Sequence, residues 1–457
     1  MSSETDPVAT KDAVERSIEK LEKLSKQYSL SEAERGRRMR KLIAQVCKWV
    51  DSIDHVDAES KAQAACWKGR AYSTLAEYTP EAEEYLTKAI KLEPALVEAW
   101  NSLGAEYWKK KDLKAAGDCF RGALEQKKNK VSLRKLSMVV RNHGEPKTYR
   151  ERLAESVDLA KEAIKLDVKD GESWYVLGNA YMMQFFTSFS TDDLEGCLKA
   201  YETAEKSTVD SASKNPDLYY NRANVHKFYE QYQKAIDDYK KSRTLDPHLP
   251  AQDEVENIHR FVKKLSKLIA TKNGIKAKRR LKLKELIPET SQIKDVERRE
   301  FVDLKQGPNK GSFLVGVIIS PVTRTWDSPV SFIVMDKNTD MFVLSVYGVV
   351  SSLQSDLKMG DVIYINQPVL KQISVNEFKE RVYPCISVGN AVNLSVNGKP
   401  LPKKVRFVFL LDREDRGENL STLCSNTQAF ANPSVKVSTF STSFTKEGKV
   451  SQKAKSK

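Results

Sequence analysis

The chain has 457 residues, 76 Lys and Arg against 62 Asp and Glu for a net charge of +14, and a 40% hydrophobic content. That length exceeds what one core organises, so two or three domains are expected. No run of about 18 apolar residues exists, which argues against a membrane span, and MSSETDPVATKDAVERS lacks the basic-then-apolar layout of a secretory signal. The six cysteines, Cys47, Cys66, Cys119, Cys197, Cys385 and Cys424, are scattered. Their spacing points to a reducing compartment rather than a disulfide framework or a zinc site. The positive balance favours polyanionic partners: RNA, DNA, ribosomes or acidic protein surfaces.

Residues 1–60 read as a helical N-terminal cap, and residues 61–250 carry an internal repeat. In EAWNSLGAEYWKKKDLKAAGDCFRGAL (98–124), Trp100, Leu103, Gly104 and Tyr107 share one helical face, and Ala116, Phe120 and Ala123 share another. Two helices with small residues at their crossing and large ones beside it form the tetratricopeptide pattern. It recurs over about 62–94, 136–168, 171–207 and 217–247, with Ala89, Ala123, Ala163, Ala204 and Ser242 at the matching second-helix position. Five units suffice for a solenoid, whose first helices line a concave face.

Positions −2, +1 and +5 from each motif aromatic point into that groove. They give Glu98 and Asn101 in one unit, Arg141 in the next, Glu172, Tyr175 and Asn179 in the third, and Asp217, Tyr220 and Asn224 in the last, with Lys227 one turn on. Asparagines can hold an extended main chain, tyrosines offer area at low entropy cost, and Arg141 offers a fork to a carboxylate while Glu172 or Asp217 takes a basic group. Mixed charges of this kind suit a peptide bearing both a cation and an anion.

Residues 251–300 are expected to form a capping helix and a basic linker, with ten Lys or Arg between Lys263 and Lys284 and no acid until Glu285. From 301 to 412, short β-branched runs at 311–320, 328–336, 341–349 and 360–370, a segment long enough for a helix before the fourth, and a final pair at 383–401 give the order of an OB-fold barrel. The fold class is therefore an all-α solenoid followed by an all-β barrel. Phe332, Phe342 and Tyr347 lie on strands two and three, where such barrels stack bases, so nucleic-acid binding competes there with protein docking. Residues 413–457 read as a disordered Ser-, Thr- and Lys-rich tail. The five histidines, His55, His143, His226, His248 and His259, join no nucleophile arrangement, and no phosphate loop or metal motif is present. An enzyme, a cofactor and a metal are accordingly not expected.

The stretches LEPALVEAWNSLGAEYWKKKD, NKVSLRKLSMVVR, GESWYVLGNAY, NPDLYYNRANVHK and LSVNGKP, in this order around the basic segment, resemble the tetratricopeptide repeat protein five (Strap) family. The resemblance implies a ribosome-associated factor that recognises the nascent Met-Arg-Glu N-terminus of tubulins and marks their messages for decay through mRNA-decay adaptors. It also implies a nuclear stress-response role scaffolding transcriptional co-activators, hence a cytoplasmic and nuclear location. Family groove residues carry over onto Arg141 and Asp217. The family's ribosomal-RNA contacts near the tunnel exit carry over onto Lys276 and Lys278, with Arg279 and Arg280 adjoining.

Overall fold

Small residues recur where paired helices cross, and they set the architecture of the first 270 residues. The computed structural model describes residues 11–27, 30–142, 148–188, 191–207, 212–289, 292–293, 296–323, 329–349, 353–376 and 383–402. The expected tail and Cys424 lie outside these. An N-terminal hairpin, α1 (Lys11–Ser25) and α2 (Glu32–Asp51), precedes five pairs. They are α3 (Ala58–Ser73) with α4 (Pro80–Leu92), α5 (Val97–Lys109) with α6 (Leu113–Gln126), α7 (Lys130–Asn142) with α8 (Tyr149–Leu166), α9 (Gly171–Ser188) with α10 (Thr191–Lys206), and α11 (Pro216–Phe228) with α12 (Tyr232–Leu245). A Cβ on Gly104 would lie 2.6 Å from the Phe120 ring, and one on Gly178 would lie 2.6 Å from Tyr201. No larger residue fits without displacing the partner helix. In the third pair Ser137 takes this place, its hydroxyl donating to the Ser156 carbonyl at 2.8 Å. Ala89, Ala123, Ala163, Ala204 and Ser242 are all fully buried.

The helix α13 (Ala251–Ala270) closes the solenoid, and α14 (Ala277–Lys284) follows. The second domain contains β1 (Gln292–Ile293), β2 (Val296–Arg298), β3 (Gly307–Pro308), β4 (Ser312–Val322), β5 (Val330–Met335), β6 (Met341–Val346), α15 (Leu353–Asp356), β7 (Val362–Asn366), β8 (Val369–Ile373), β9 (Tyr383–Val388), β10 (Leu394–Val396) and β11 (Lys399–Pro400). β4 pairs antiparallel with β5 and with β7, β5 with β6, β6 runs parallel to β9, and β9 pairs with β8. β7 and β8 are two halves of one strand bent at Gln367, whose φ is +50°. The bend lets the first half pair β4 and the second half pair β9, and so shuts the barrel. The Asn397–Gly398 turn, with φ of +50° and +75°, joins β10 to β11.

The two domains share one core. Phe332, Val334, Phe342, Leu344 and Val346 fill the barrel. Their neighbours in sequence, Ile333, Met335, Met341 and Val343, point the other way and belong to a core that continues through Tyr239, Phe261, Val262, Leu265, Leu283 and Ile287. The 251–300 segment is thus packed helix rather than a free linker. Glu230, with φ of +61° at the tip of the last pair, enters the barrel wall: it accepts from the Ser345 hydroxyl at 2.8 Å and the Tyr347 hydroxyl at 3.1 Å. Tyr347 also contacts the rings of Phe228 and Tyr229.

Candidate peptide-binding groove

The helices α5, α7, α9 and α11 carry the groove candidates. Glu98 is exposed on α5. Asn101 is engaged, its Oδ1 accepting from the Ser132 hydroxyl of α7 at 2.7 Å. Glu172 pairs with Arg134 at 2.9 Å and with Lys26, at the end of α1, at 3.2 Å. Burial works to raise its pKa, but Arg134 and Lys26 outweigh that and hold it below the ordinary value. Asn179 is 4% exposed and accepts from the Tyr201 hydroxyl at 2.6 Å and from Asn221 at 3.0 Å. It therefore stitches α9 to α10 and α11 and does not face a ligand, contrary to its reading from spacing. Tyr220 packs edge-on against Tyr239 at 5.4 Å. Lys227 pairs with Glu254 at 2.7 Å.

Three polar groups have no such answer. Arg141 is 2% exposed, yet its Nε, Nη1 and Nη2 have no hydrogen-bond partner among the described residues. Burial lowers its pKa against the pull of the hydroxyls of Tyr175, Tyr201 and Tyr149. The Asp217 carboxylate has no cation in ion-pair reach among the described residues; burial and then Asp246 push its pKa up to about 6. Asn224 accepts from the Tyr239 hydroxyl at 2.7 Å, but its buried Nδ2 has no partner. Tyr175 stands between the two charges, feeling Asp217 and Arg141 at once. An unpaired buried cation and an unpaired carboxylate on either side of one tyrosine form a receptor for a ligand of mixed charge.

The spacing misplaced α7 by two turns. Ser137 is its crossing residue, so Arg134 occupies the place of Asn101, Tyr175 and Tyr220, and Arg141 lies farther along, beneath the tyrosines. Arg134 was missed because this unit has no motif aromatic; its pairing with Asp170 and Glu172 is visible in three dimensions alone.

His226 is explained by packing. It is buried, with Nδ1 2.9 Å from Gln231, and burial lowers its pKa. No cluster of His, Cys, Asp and Glu among the described residues could hold a metal ion, and no described helix is long and apolar enough to cross a membrane.

At the basic segment, Lys276 and Lys278 are exposed and make no ion pair among the described residues. Arg279 instead reaches Met359 Sδ at 3.0 Å, and Arg280 donates to the Ile275 carbonyl at 2.6 Å. The aromatic residues proposed for base stacking are not available to a nucleic acid: Phe332 and Phe342 are fully buried and Tyr347 is 6% exposed. The outer face of β5 and β6 is covered by the end of the solenoid.

The family model "Tetratricopeptide repeat protein 5 OB fold domain" matches residues 295–408, and tetratricopeptide repeat models match 62–96, 97–130 and 216–249. A mouse relative, "Tetratricopeptide repeat protein 5", is 35% identical over 389 residues, covering 80% of this chain and 87% of its own. The chain belongs to the tetratricopeptide repeat protein 5 family. The human relative of the same name is 34% identical over 387 residues, with coverage of 80% and 87%. A solved structure titled "Crystal structure of YrrB: a TPR protein with an unusual peptide-binding site" is similar at 18% identity and a TM-score of 0.32, covering 44% of this chain and 92% of that one. Membership and the repeat fold make this chain a protein-binding adaptor.

Proposed function

We propose that the concave face binds a short peptide in which a basic residue is followed by an acidic one, and that the chain is a non-enzymatic adaptor for the nascent Met-Arg-Glu N-terminus of tubulin. The observation that carries this reading is the pair of unanswered charges, Arg141 and Asp217, flanking Tyr175. Asp217 takes the ligand arginine, and the ligand glutamate reaches Arg141 between α7 and α9 as the tyrosines part. Each contact relieves a buried charge that the free protein leaves unpaired.

Exposed Lys276 and Lys278 support a second contact, with ribosomal RNA near the tunnel exit. An adaptor held there in the cytoplasm meets the peptide as it emerges and delivers mRNA-decay adaptor proteins to the message. A nuclear cofactor role resting on DNA at the barrel is the weaker reading, since β5 and β6 are buried on both faces.

The test is fluorescence anisotropy of a labelled Met-Arg-Glu tubulin peptide against the full chain. Wild type binds, and Arg141→Ala and Asp217→Ala each weaken binding by tenfold or more, on the order of a lost charge-assisted contact. Equal binding by all three proteins refutes the groove assignment.

A further inference from the structure

Beside Arg141 the groove holds a second cation that nothing in the molecule answers. Lys130, Arg134, Lys135 and Lys26 face three carboxylates, Asp167, Asp170 and Glu172. Lys130 pairs with Asp167 at 2.7 Å and with Asp170 at 3.0 Å. Arg134 holds Asp170 and, at 2.9 Å, Glu172. Lys26 takes the remaining oxygen of Glu172 at 3.2 Å. Lys135 is left over: it is exposed, and it makes no hydrogen bond or ion pair among the described residues.

Helical spacing separates its role from that of Arg141. Arg134 and Arg141, seven apart, share the face of α7 turned toward α9, whereas Lys135, Met138 and Asn142 share the neighbouring face. Lys135 is therefore reachable without parting the tyrosines. Its pKa is lowered, by desolvation first and then by Arg134, Lys26 and Lys109 against Glu172. Although its side chain meets solvent, it sits in a recess of positive potential, where an anion is favoured.

We propose that the groove continues past Arg141 into a second anion subsite at Lys135, and that its preferred ligand carries a further acidic side chain beyond the glutamate. The proposal rests on the peptide-groove reading above. Arg141 and Lys135 are six residues apart on α7, a rise of about 9 Å, which two or three residues of extended peptide span. The responding ligand position is then the fifth or sixth residue of a peptide whose glutamate is third.

Three peptides test this by anisotropy on the full chain: Met-Arg-Glu followed by neutral residues, and the same peptide with a glutamate at the fifth or the sixth residue. An accessible ion pair in such a recess predicts that one of the acidic peptides binds about threefold to fivefold more tightly than the neutral one. The gain shrinks with added salt, disappears in Lys135→Met and survives in Lys135→Arg. Lys135→Met leaves binding of the neutral peptide unchanged. Absence of any gain in wild type, or a gain that persists in Lys135→Met, overturns the subsite while leaving the Arg141–Asp217 reading intact. Failure of wild type to bind the neutral peptide overturns that reading, and the subsite with it.

Discussion

Arg141 and Asp217 each weaken the fold as it stands. A guanidinium buried without partners is destabilising relative to an apolar residue of similar size, so Arg141→Met should leave thermal stability unchanged or raise it by about 1–3 kcal/mol while peptide binding collapses. Asp217 behaves in parallel. Its folded pKa, about 6, exceeds the ordinary 3.8, so the folded state binds the extra proton between those values. Stability therefore falls as pH rises from about 4 to about 6, and Asp217→Asn should stabilise the protein above pH 6 by about 1–3 kcal/mol. Pairing with a ligand cation needs the ionised carboxylate, so affinity for the Met-Arg-Glu peptide should drop as pH falls below about 6. Urea titrations and anisotropy across pH 5 to 8 check both signs; a pH-independent affinity counts against Asp217 as the arginine receptor. Residue type and spacing made Asp217 legible in the sequence. Asn179 was not: burial and two hydrogen bonds decide its role, and both depend on Tyr201 and Asn221 from other helices.

The elements were the most legible level, because glycine or alanine is needed wherever two helix axes approach closely. That demand repeats at every pair and so leaves a period in the sequence. Gly178→Ala should destabilise by about 1–3 kcal/mol, since its Cβ would press into the Tyr201 ring 2.6 Å away. Tyr201 also lies beside Arg141, so the same substitution should weaken peptide binding; a melting curve and an anisotropy titration on one preparation separate the two effects. Gly196→Ala, whose Cβ would meet Tyr181 at the milder distance of 3.1 Å, serves as the comparison. The third pair escaped the pattern because Ser137 reaches the same close approach through a hydroxyl bonded to Ser156 instead of a missing side chain. Without an aromatic to set the register, α7 was read two turns out of place.

At the scale of the molecule, solenoid and barrel form one folded unit, which local patterning had no means of revealing. Strands β5 and β6 alternate apolar residues on both faces, a sign of double-sided burial, but which element covers the outer face is decided by tertiary contact. Glu230 fastens that contact, and Glu230→Lys places a like-sized cation against Ser345 and Tyr347. Wild type should melt in one transition and the variant in two, with the barrel becoming protease-sensitive; a single unshifted transition contradicts the shared core. Lys276→Glu with Lys278→Glu should abolish sedimentation with ribosomes and leave peptide affinity unchanged, because these lysines are remote in sequence from the groove helices and exposed. The most direct test of the central claim compares two peptides of identical composition, one beginning Met-Arg-Glu and one beginning Met-Glu-Arg, against the full chain at pH 7.5. The arrangement of Asp217 and Arg141 on either side of Tyr175 predicts at least tenfold tighter binding of Met-Arg-Glu. Equal affinities would mean that the groove reads net charge alone and that these two residues are not its receptors.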